Sequence, residues 1–247
     1  MMVLADLGNT RLKWAVMQAN GRPGPMRAAI HGQWPVGVFR EGMPVLAVSV
    51  AKESIRKKFV AWVRGQTGYA PKFVSSAAAY GDLINAYQDP WRLGADRWVA
   101  LIGARASFPR ARALLVVDVG TATTIDLLAR DGRHHGGLIL PGPSIMVESL
   151  LGKTGGIATR AKSRTKSPTT DFFARDTRSA IEQGARQSVA AAVERARRVA
   201  GAKVGVLPRV ILTGGGAEDI ELPFAHVRID DLVLRGLAHH AQYANTQ

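Results

Sequence analysis

The 247-residue sequence predicts an α/β chain built as two similar halves, each opening on a β-hairpin. Three observations predict it. A short apolar stretch, a D-x-G turn and a second apolar-rich stretch occur together twice, around Asp6-Leu7-Gly8-Asn9-Thr10 and around Asp118-Val119-Gly120-Thr121. The two aspartates stand 112 positions apart, close to half the chain, as an internal repeat requires. After each hairpin, short β-type runs alternate with segments of helical period. The repeat sets expected domains at residues 1–113 and 114–247.

The elements follow in order. Residues 2–5 and the stretch through Trp14 and Val16 flank the first turn as strands. Residues 45–50 read as a strand, and 52–67 as a helix with Ile55, Phe59, Trp62 and Val63 on one face. A short strand at 71–74 precedes a helix over 97–108, entered through Gly94-Ala95-Asp96 and stopped by Pro109. In the second half, 114–117 and the stretch through Ile125 and Leu128 flank the second turn, and 136–140 forms a further strand. A helix is expected from Ser144 to about Leu151, then a Gly/Lys/Arg/Ser/Thr-rich loop over 152–170 and a long helix over 178–200. A strand at 208–212 runs into Gly214-Gly215-Gly216, and a strand at 227–229 and a helix at 231–243 close the chain.

Composition narrows the function. At 47% hydrophobic residues the chain can bury a core, which excludes disorder for most of its length. It has no cysteine, so disulfides, thiolate nucleophiles and cysteine–metal sites are excluded, and a reducing cytoplasm is the expected location. No apolar run reaches the roughly 18–20 residues of a membrane span. Asp6, Asn9, Arg11 and Lys13 interrupt the N-terminal region, so no secretory leader is expected. The formal charge of +14 points to anionic partners. Its charges are scattered, with denser stretches at 105–112, 160–166 and 195–198, so specific nucleic-acid binding is not expected.

Several motifs suit phosphate chemistry. The first hairpin reads D-L-G-N-T-R-L-K from Asp6 to Lys13. A turn offering backbone N–H groups through Gly8 and Asn9, the Thr10 hydroxyl and the Lys13 ammonium suits a polyphosphate. Asp6 at the strand end is placed to hold Mg²⁺, directly or through water. In the second hairpin Thr121, Thr123 and Thr124 offer hydroxyls to phosphate or cation, beside Asp118 at the strand end. Gly214, Gly215 and Gly216 allow close backbone approach to an adenine or its ribose. Gly152-Lys153-Thr154 imitates the end of a Walker A motif, but the glycine required five residues earlier is Val147, so that reading fails. His134-His135 reads as an exposed turn.

The segment Leu93-Gly94-Ala95-Asp96-Arg97-Trp98 is open to two readings. Asp96 is either a helix N-cap or a general base for a hydroxyl nucleophile. Arg97 suits bidentate binding of a carboxylate. Sequence pattern does not decide between these.

Taken together, the motifs resemble type III pantothenate kinase. They are D-L-G-N-T-R-L-K, Y-Q-D-P-W-R-L-G-A-D-R-W, D-V-G-T-A-T-T, G-G-L-I-L-P-G-P-S-I-M, T-R-S-A-I-E-Q-G, L-T-G-G-G-A and D-L-V-L-R-G-L. They stand in that family's order over nearly the whole chain. The resemblance implies two ribonuclease-H-like, actin-like ATPase domains with a central cleft. It implies transfer of the ATP γ-phosphate to pantothenate, the entry step to coenzyme A. It makes Asp96 the proton acceptor, and Tyr87, Gly94, Ala95, Asp96, Arg97 and Thr177 the pantothenate contacts, with Thr177 reaching across a homodimer interface. It assigns ATP phosphates and Mg²⁺ to Asp6, Gly8, Asn9, Thr10 and Lys13, further ATP contacts to Thr121 and Gly215, and a monovalent cation, potassium or ammonium, to Asp118. Ile181 departs from the methionine expected there. The competing readings are a regulatory accessory protein on the same fold, acting through nucleic acid or a protein partner, and a sugar kinase.

Overall fold

The computed structural model describes residues 1–35, 37–161 and 172–244. Packing divides the chain into two compact units. One holds Met1–Leu114, Asp126–Gly136 and Asp231–Gln247, and the other holds Leu115–Ile125 and Gly137–Asp230. The division is therefore discontinuous in sequence. The C-terminal helix joins the first unit because its apolar face lies against elements of the first half.

The first half contains β1 (Val3–Leu7), β2 (Arg11–Val16), β3 (Arg27–Ile30), β4 (Val45–Ser49), α1 (Glu53–Thr67), β5 (Lys72–Phe73), the small hairpin β6 (Ala79–Tyr80) and β7 (Leu83–Ile84), and α2 (Ala95–Ser107). Its sheet runs β3-β2-β1-β4-β5, with β1 antiparallel to β2 and parallel to β4. All five residues of β1 are buried, as a central strand covered on both faces demands. Helix α1 packs Phe59 and Val63 onto this sheet, where Trp34, Phe39, Trp62 and Phe73 close an aromatic cluster around Phe59. Strand β3, which sequence patterning did not reveal, is an exposed edge with no apolar alternation.

The second half contains β8 (Ala113–Val119), β9 (Ala122–Ala129), β10 (His134–Pro141), α3 (Pro143–Lys153), α4 (Gly155–Arg160), α5 (Thr177–Val204), β11 (Arg209–Thr213), β12 (His226–Arg228) and α6 (Leu232–Ala244). Its sheet runs β10-β9-β8-β11-β12, the same order as the first sheet under the repeat. The expected loop over 152–170 begins instead as helix, since α3 continues to Lys153 and α4 follows it. The remainder of that loop, with most of the basic run at 160–166, lies outside the described residues.

Helix α2 is set by a close crossing with α6. A Cβ on Gly103 would collide with the Leu232 carbonyl, and one on Gly236 with the Val99 carbonyl. Two glycines facing opposite helices let the backbones touch. Trp98 and Leu101 on α2 and Leu234 and Leu237 on α6 are buried in the same unit. Full burial of one such side chain contributes about 1.5–3 kcal/mol. This fixes the start of α2, where Asp96 and Arg97 stand.

Candidate active site

The first hairpin closes as its sequence suggests. Asp6 pairs in register with Lys13, and the Gly8 N–H donates to the Arg11 carbonyl at 3.1 Å. Asp6 is only 9% exposed, whereas Asn9 and Thr10 are open to solvent. A contact not visible in the sequence braces the turn: His31, just after β3, donates from Nε2 to the Gly8 carbonyl at 2.9 Å. The result is an accessible backbone turn with a carboxylate at its base and an ammonium in register, a donor set whose chemistry suits a phosphate and a divalent cation.

The second hairpin is cradled by two glycine segments of its own unit. Gly214 has φ +93°, a region that favours glycine, and it passes so close to Asp118 and the Val119 carbonyl that a Cβ would collide with both. The Gly216 N–H donates to the Val119 carbonyl, and the Gly142 N–H to the Thr121 carbonyl, each at 2.9 Å. Gly120 and Thr121 are exposed at the turn and Asp118 is half-buried. Thr123 corrects the sequence reading: it is fully buried, because alternation along β9 turns it inward, and its hydroxyl is not offered at the turn. The structure thus brings Asp118, Thr121 and the Gly214-Gly215-Gly216 segment together. Among the described residues no group of three His, Asp or Glu side chains forms a ready metal site. A carboxylate at this turn has the donor chemistry for a cation whose other ligands come from phosphate or water.

The third element is the start of α2 with the segment that leads to it. Asn85 anchors that segment, donating from Nδ2 to the carbonyls of Ala77 and Pro90 at 3.1 and 3.3 Å and accepting from the Tyr87 N–H at 3.0 Å. Ser76 donates to the Leu93 carbonyl at 2.8 Å. Gly94 is the N-cap of α2, so the N-cap reading of Asp96 is withdrawn. Asp96 lies within the first turn, where its Oδ1 accepts the Arg97 N–H at 2.8 Å. Burial pushes the Asp96 carboxyl above the usual aspartate range, against the lowering effect of the Arg97 N–H and guanidinium. A carboxylate raised in this way is a better proton acceptor.

Arg97 is buried, and its fork is already used. Nε and Nη2 donate to Asp126 Oδ2 and Oδ1 at 2.8 and 2.6 Å, and Nη1 donates to the Tyr87 hydroxyl at 3.2 Å. The bidentate geometry expected for a substrate carboxylate is spent on an internal one. His134 donates from Nε2 to Asp126 Oδ1 at 2.8 Å, and its ring lies nearly parallel to Tyr87, centroids 6.2 Å apart. The sequence reading of His134-His135 as an exposed turn is therefore corrected. His134 begins strand β10 with its side chain fully buried, and only His135 faces solvent. Burial alone would raise the Asp126 carboxyl, but the hydrogen bonds from His134 and Arg97 outweigh it and hold the group below the usual range. Tyr87, Asp96 and Arg97 are thus brought together, with Asp126 and His134 added to them. The sequence signal for Asp126 was a carboxylate inside the apolar strand A-T-T-I-D-L-L-A, which must find a cation.

Thr177 belongs to the second unit. It opens α5, whose N-cap Asp176 accepts the Ser179 N–H at 2.9 Å. Thr177 rims a groove of about 490 Å³ between α3 and α5, walled by Met146, Leu150, Ile157, Ile181 and Ala185. Along α5, Ala185, Ala190 and Ala200 are buried, Ala192 and Ala196 half-buried, and Ala180, Ala191 and Ala202 exposed.

Comparison with known proteins gives the family. A family model described as type III pantothenate kinase matches residues 2–198. A type III pantothenate kinase of Aromatoleum aromaticum is 38% identical over 96% of both chains. One from Nitrosococcus oceani is 32% identical over 98% of this chain and 94% of its own. Among solved structures, a Campylobacter jejuni protein assigned to the Baf family of transcriptional activators superposes with a TM-score of 0.62 at 17% identity, covering all of both chains. The Clostridium difficile activator of 2-hydroxyisocaproyl-CoA dehydratase, with bound ADPNP, gives 0.50 at 14%, covering 99% of this chain and 97% of its own. At such identities these likenesses bear on the fold alone, and the fold is that of the actin-like ATPases.

Proposed function

The chain belongs to the type III pantothenate kinase family, and from that premise we propose how its residues carry out the reaction. The enzyme is an ATP-dependent pantothenate kinase, which makes 4′-phosphopantothenate and ADP. The observation that carries the residue assignment is the Asp96 carboxyl, raised by burial, at the start of α2 beside Tyr87 and Arg97.

In this reading the hydroxyl of pantothenate lies against Asp96, which takes its proton as the oxygen attacks the γ-phosphorus. The bond from that phosphorus to the β,γ-bridging oxygen breaks, and ADP leaves. Gly94 and Ala95 shape the floor of the acceptor pocket, Tyr87 contributes its hydroxyl, and Arg97 acts through Tyr87. Gly8, Asn9, Thr10 and Lys13 hold the phosphates. Thr121 and Gly215 are assigned further contacts to the nucleotide. Asp6 would hold Mg²⁺, directly or through water, and the ion when bound would supply neutralising charge to the transferring group. Asp118 fits a monovalent cation, potassium or ammonium, by its donor chemistry, although Asp118 also has contacts within the protein. Residues 1–113 then carry the acceptor segment and first phosphate hairpin, and 114–247 the second hairpin, the glycine loop and a dimer helix.

We place the enzyme as a homodimer in which Thr177 completes the pantothenate site of the other copy. The support is the Thr177 groove and the exposed apolar residues Leu138, Ile139 and Leu150 in the same unit. Among the described residues no helix is long and apolar enough to cross a membrane. A regulatory accessory role gains nothing from the activator-like structure, which is similar at the level of fold only. A coupled assay with ATP and pantothenate, run with and without potassium, tests the reading. Absence of pantothenate-dependent ADP release in both conditions would reject it.

A further inference from the structure

We infer that Asp126 and His134 are positioning residues of the acceptor site, holding Arg97 and, through it, the Tyr87 hydroxyl in the geometry that receives pantothenate. The inference rests on the proposed reading of Tyr87, Asp96 and Arg97, and it extends that site to two residues on β9 and β10.

The argument begins with donors and acceptors. A guanidinium only donates. Arg97 gives Nε and Nη2 to Asp126, and Nη1 is the nitrogen that reaches the Tyr87 oxygen, at 3.2 Å. Tyr87 therefore accepts from Arg97, which leaves its own hydroxyl proton to be donated elsewhere. A substrate bearing a carboxylate and an amide carbonyl supplies the matching acceptors. Rotating the Arg97 fork would move Nη1 and with it the Tyr87 oxygen, so whatever fixes the fork fixes the donor.

Asp126 fixes the fork by bidentate pairing, which is geometrically specific as well as strong. His134 in turn fixes Asp126, since its Nε2–H donates to Oδ1, the oxygen that also receives Arg97 Nη2. Tyr87 is also bracketed sterically, with the His134 ring parallel to it at 11° and the Arg97 guanidinium 5.9 Å from its centroid.

Two features show that this cluster is more than core filling. A buried ion pair is weak evidence of stability, because apolar residues of equal volume often serve as well. And His134 is held at a cost: its Nδ1 is buried and, among the described residues, meets no hydrogen-bond partner. A phenylalanine would stack on Tyr87 without that orphaned nitrogen. What histidine adds is the Nε2–H on Asp126.

The test is a set of kinetic variants of the full chain. His134→Phe keeps the ring against Tyr87 and removes the donor. It is expected to raise KM for pantothenate roughly tenfold, less than the roughly 10²-fold that a 1 Å misplacement brings. KM for ATP and the melting temperature should stay near wild type. His134→Gln, which restores an N–H donor, should recover most of the loss. In a Tyr87→Phe background, where the positioned hydroxyl is gone, His134→Phe should add less than about a twofold change, the margin expected of non-additive partners. An unchanged pantothenate KM, parallel losses for both substrates, or full additivity with Tyr87→Phe would each overturn the inference. If His134→Phe does not fold, His134→Leu, which also lacks a donor, replaces it, with the same outcomes. Failure of the wild type to phosphorylate pantothenate would instead reject the underlying reading, before any variant is compared.

Discussion

Arg97 and Asp126 form a bidentate pair, Nε to Oδ2 at 2.8 Å and Nη2 to Oδ1 at 2.6 Å, with side chains only 6% and 2% exposed. One partner stands on the first turn of α2 and the other within β9, so the pair ties the acceptor segment to a strand 29 residues away.

Asp126→Leu should destabilise the protein by about 3–5 kcal/mol at neutral pH, because the Arg97 charge is then buried without a partner. The pH dependence has a definite sign. His134 and Arg97 hold the Asp126 carboxyl below its usual range despite burial. Its stabilising contribution is therefore present above the ordinary aspartate pKa and lost as pH falls through the lowered value. Urea unfolding of wild type and variant at neutral and acid pH should show the gap narrowing in acid. A gap that widens in acid would contradict the pairing.

Much of the fold was legible because its local codes agree. The D-x-G hairpins, the helical face of Ile55, Phe59 and Val63, and the Gly triplet after an apolar strand are each decided within a few residues. The Asp126–His134 part of the site was not, because its partners meet only through tertiary packing. His134 sits beside exposed His135 in a polar-looking dipeptide, and strand alternation, not composition, buries the one and exposes the other. Helix α4 was missed for the opposite reason: Gly155, Gly156 and Thr159 carry loop-like composition, and composition overrode position.

Asp118→Ala should abolish activation by potassium while leaving the melting temperature within a few degrees. The carboxylate is half-buried at a turn beside Gly214 and fills no core. Rates measured across a potassium titration decide the matter. A variant with a wild-type potassium response would remove Asp118 from the cation site.

Ile139→Glu should convert the proposed dimer to monomer and lower turnover with it. Ile139 is 65% exposed on edge strand β10, and its neighbour Leu138 is 50% exposed. If Thr177 completes the other copy's site, monomer and loss of activity must appear together. Light scattering with parallel assays tests this. A fully active monomer would separate the interface from the site.

Asp96→Asn is the sharpest test of mechanism. Gly94 caps α2, so asparagine at 96 disturbs no cap, and its side-chain oxygen can still accept the Arg97 N–H. What it cannot do is take a proton. Turnover should fall by about 10²–10⁴-fold, the scale of a lost general base. ATP affinity should hold, since the phosphates are assigned to the Asp6–Lys13 hairpin. Stability should move the other way. Burial raises the Asp96 carboxyl, so its favourable contribution is present below the ordinary aspartate pKa and lost as pH rises through the raised value. At neutral pH the wild type therefore holds a buried charge at a cost, and Asp96→Asn should melt at the same temperature or higher. That advantage should disappear in acid. The wild-type kcat/KM should likewise fall as pH drops through the raised value, and the variant should lose this limb. An Asp96→Asn enzyme with near-normal turnover would end the general-base assignment, whatever its stability.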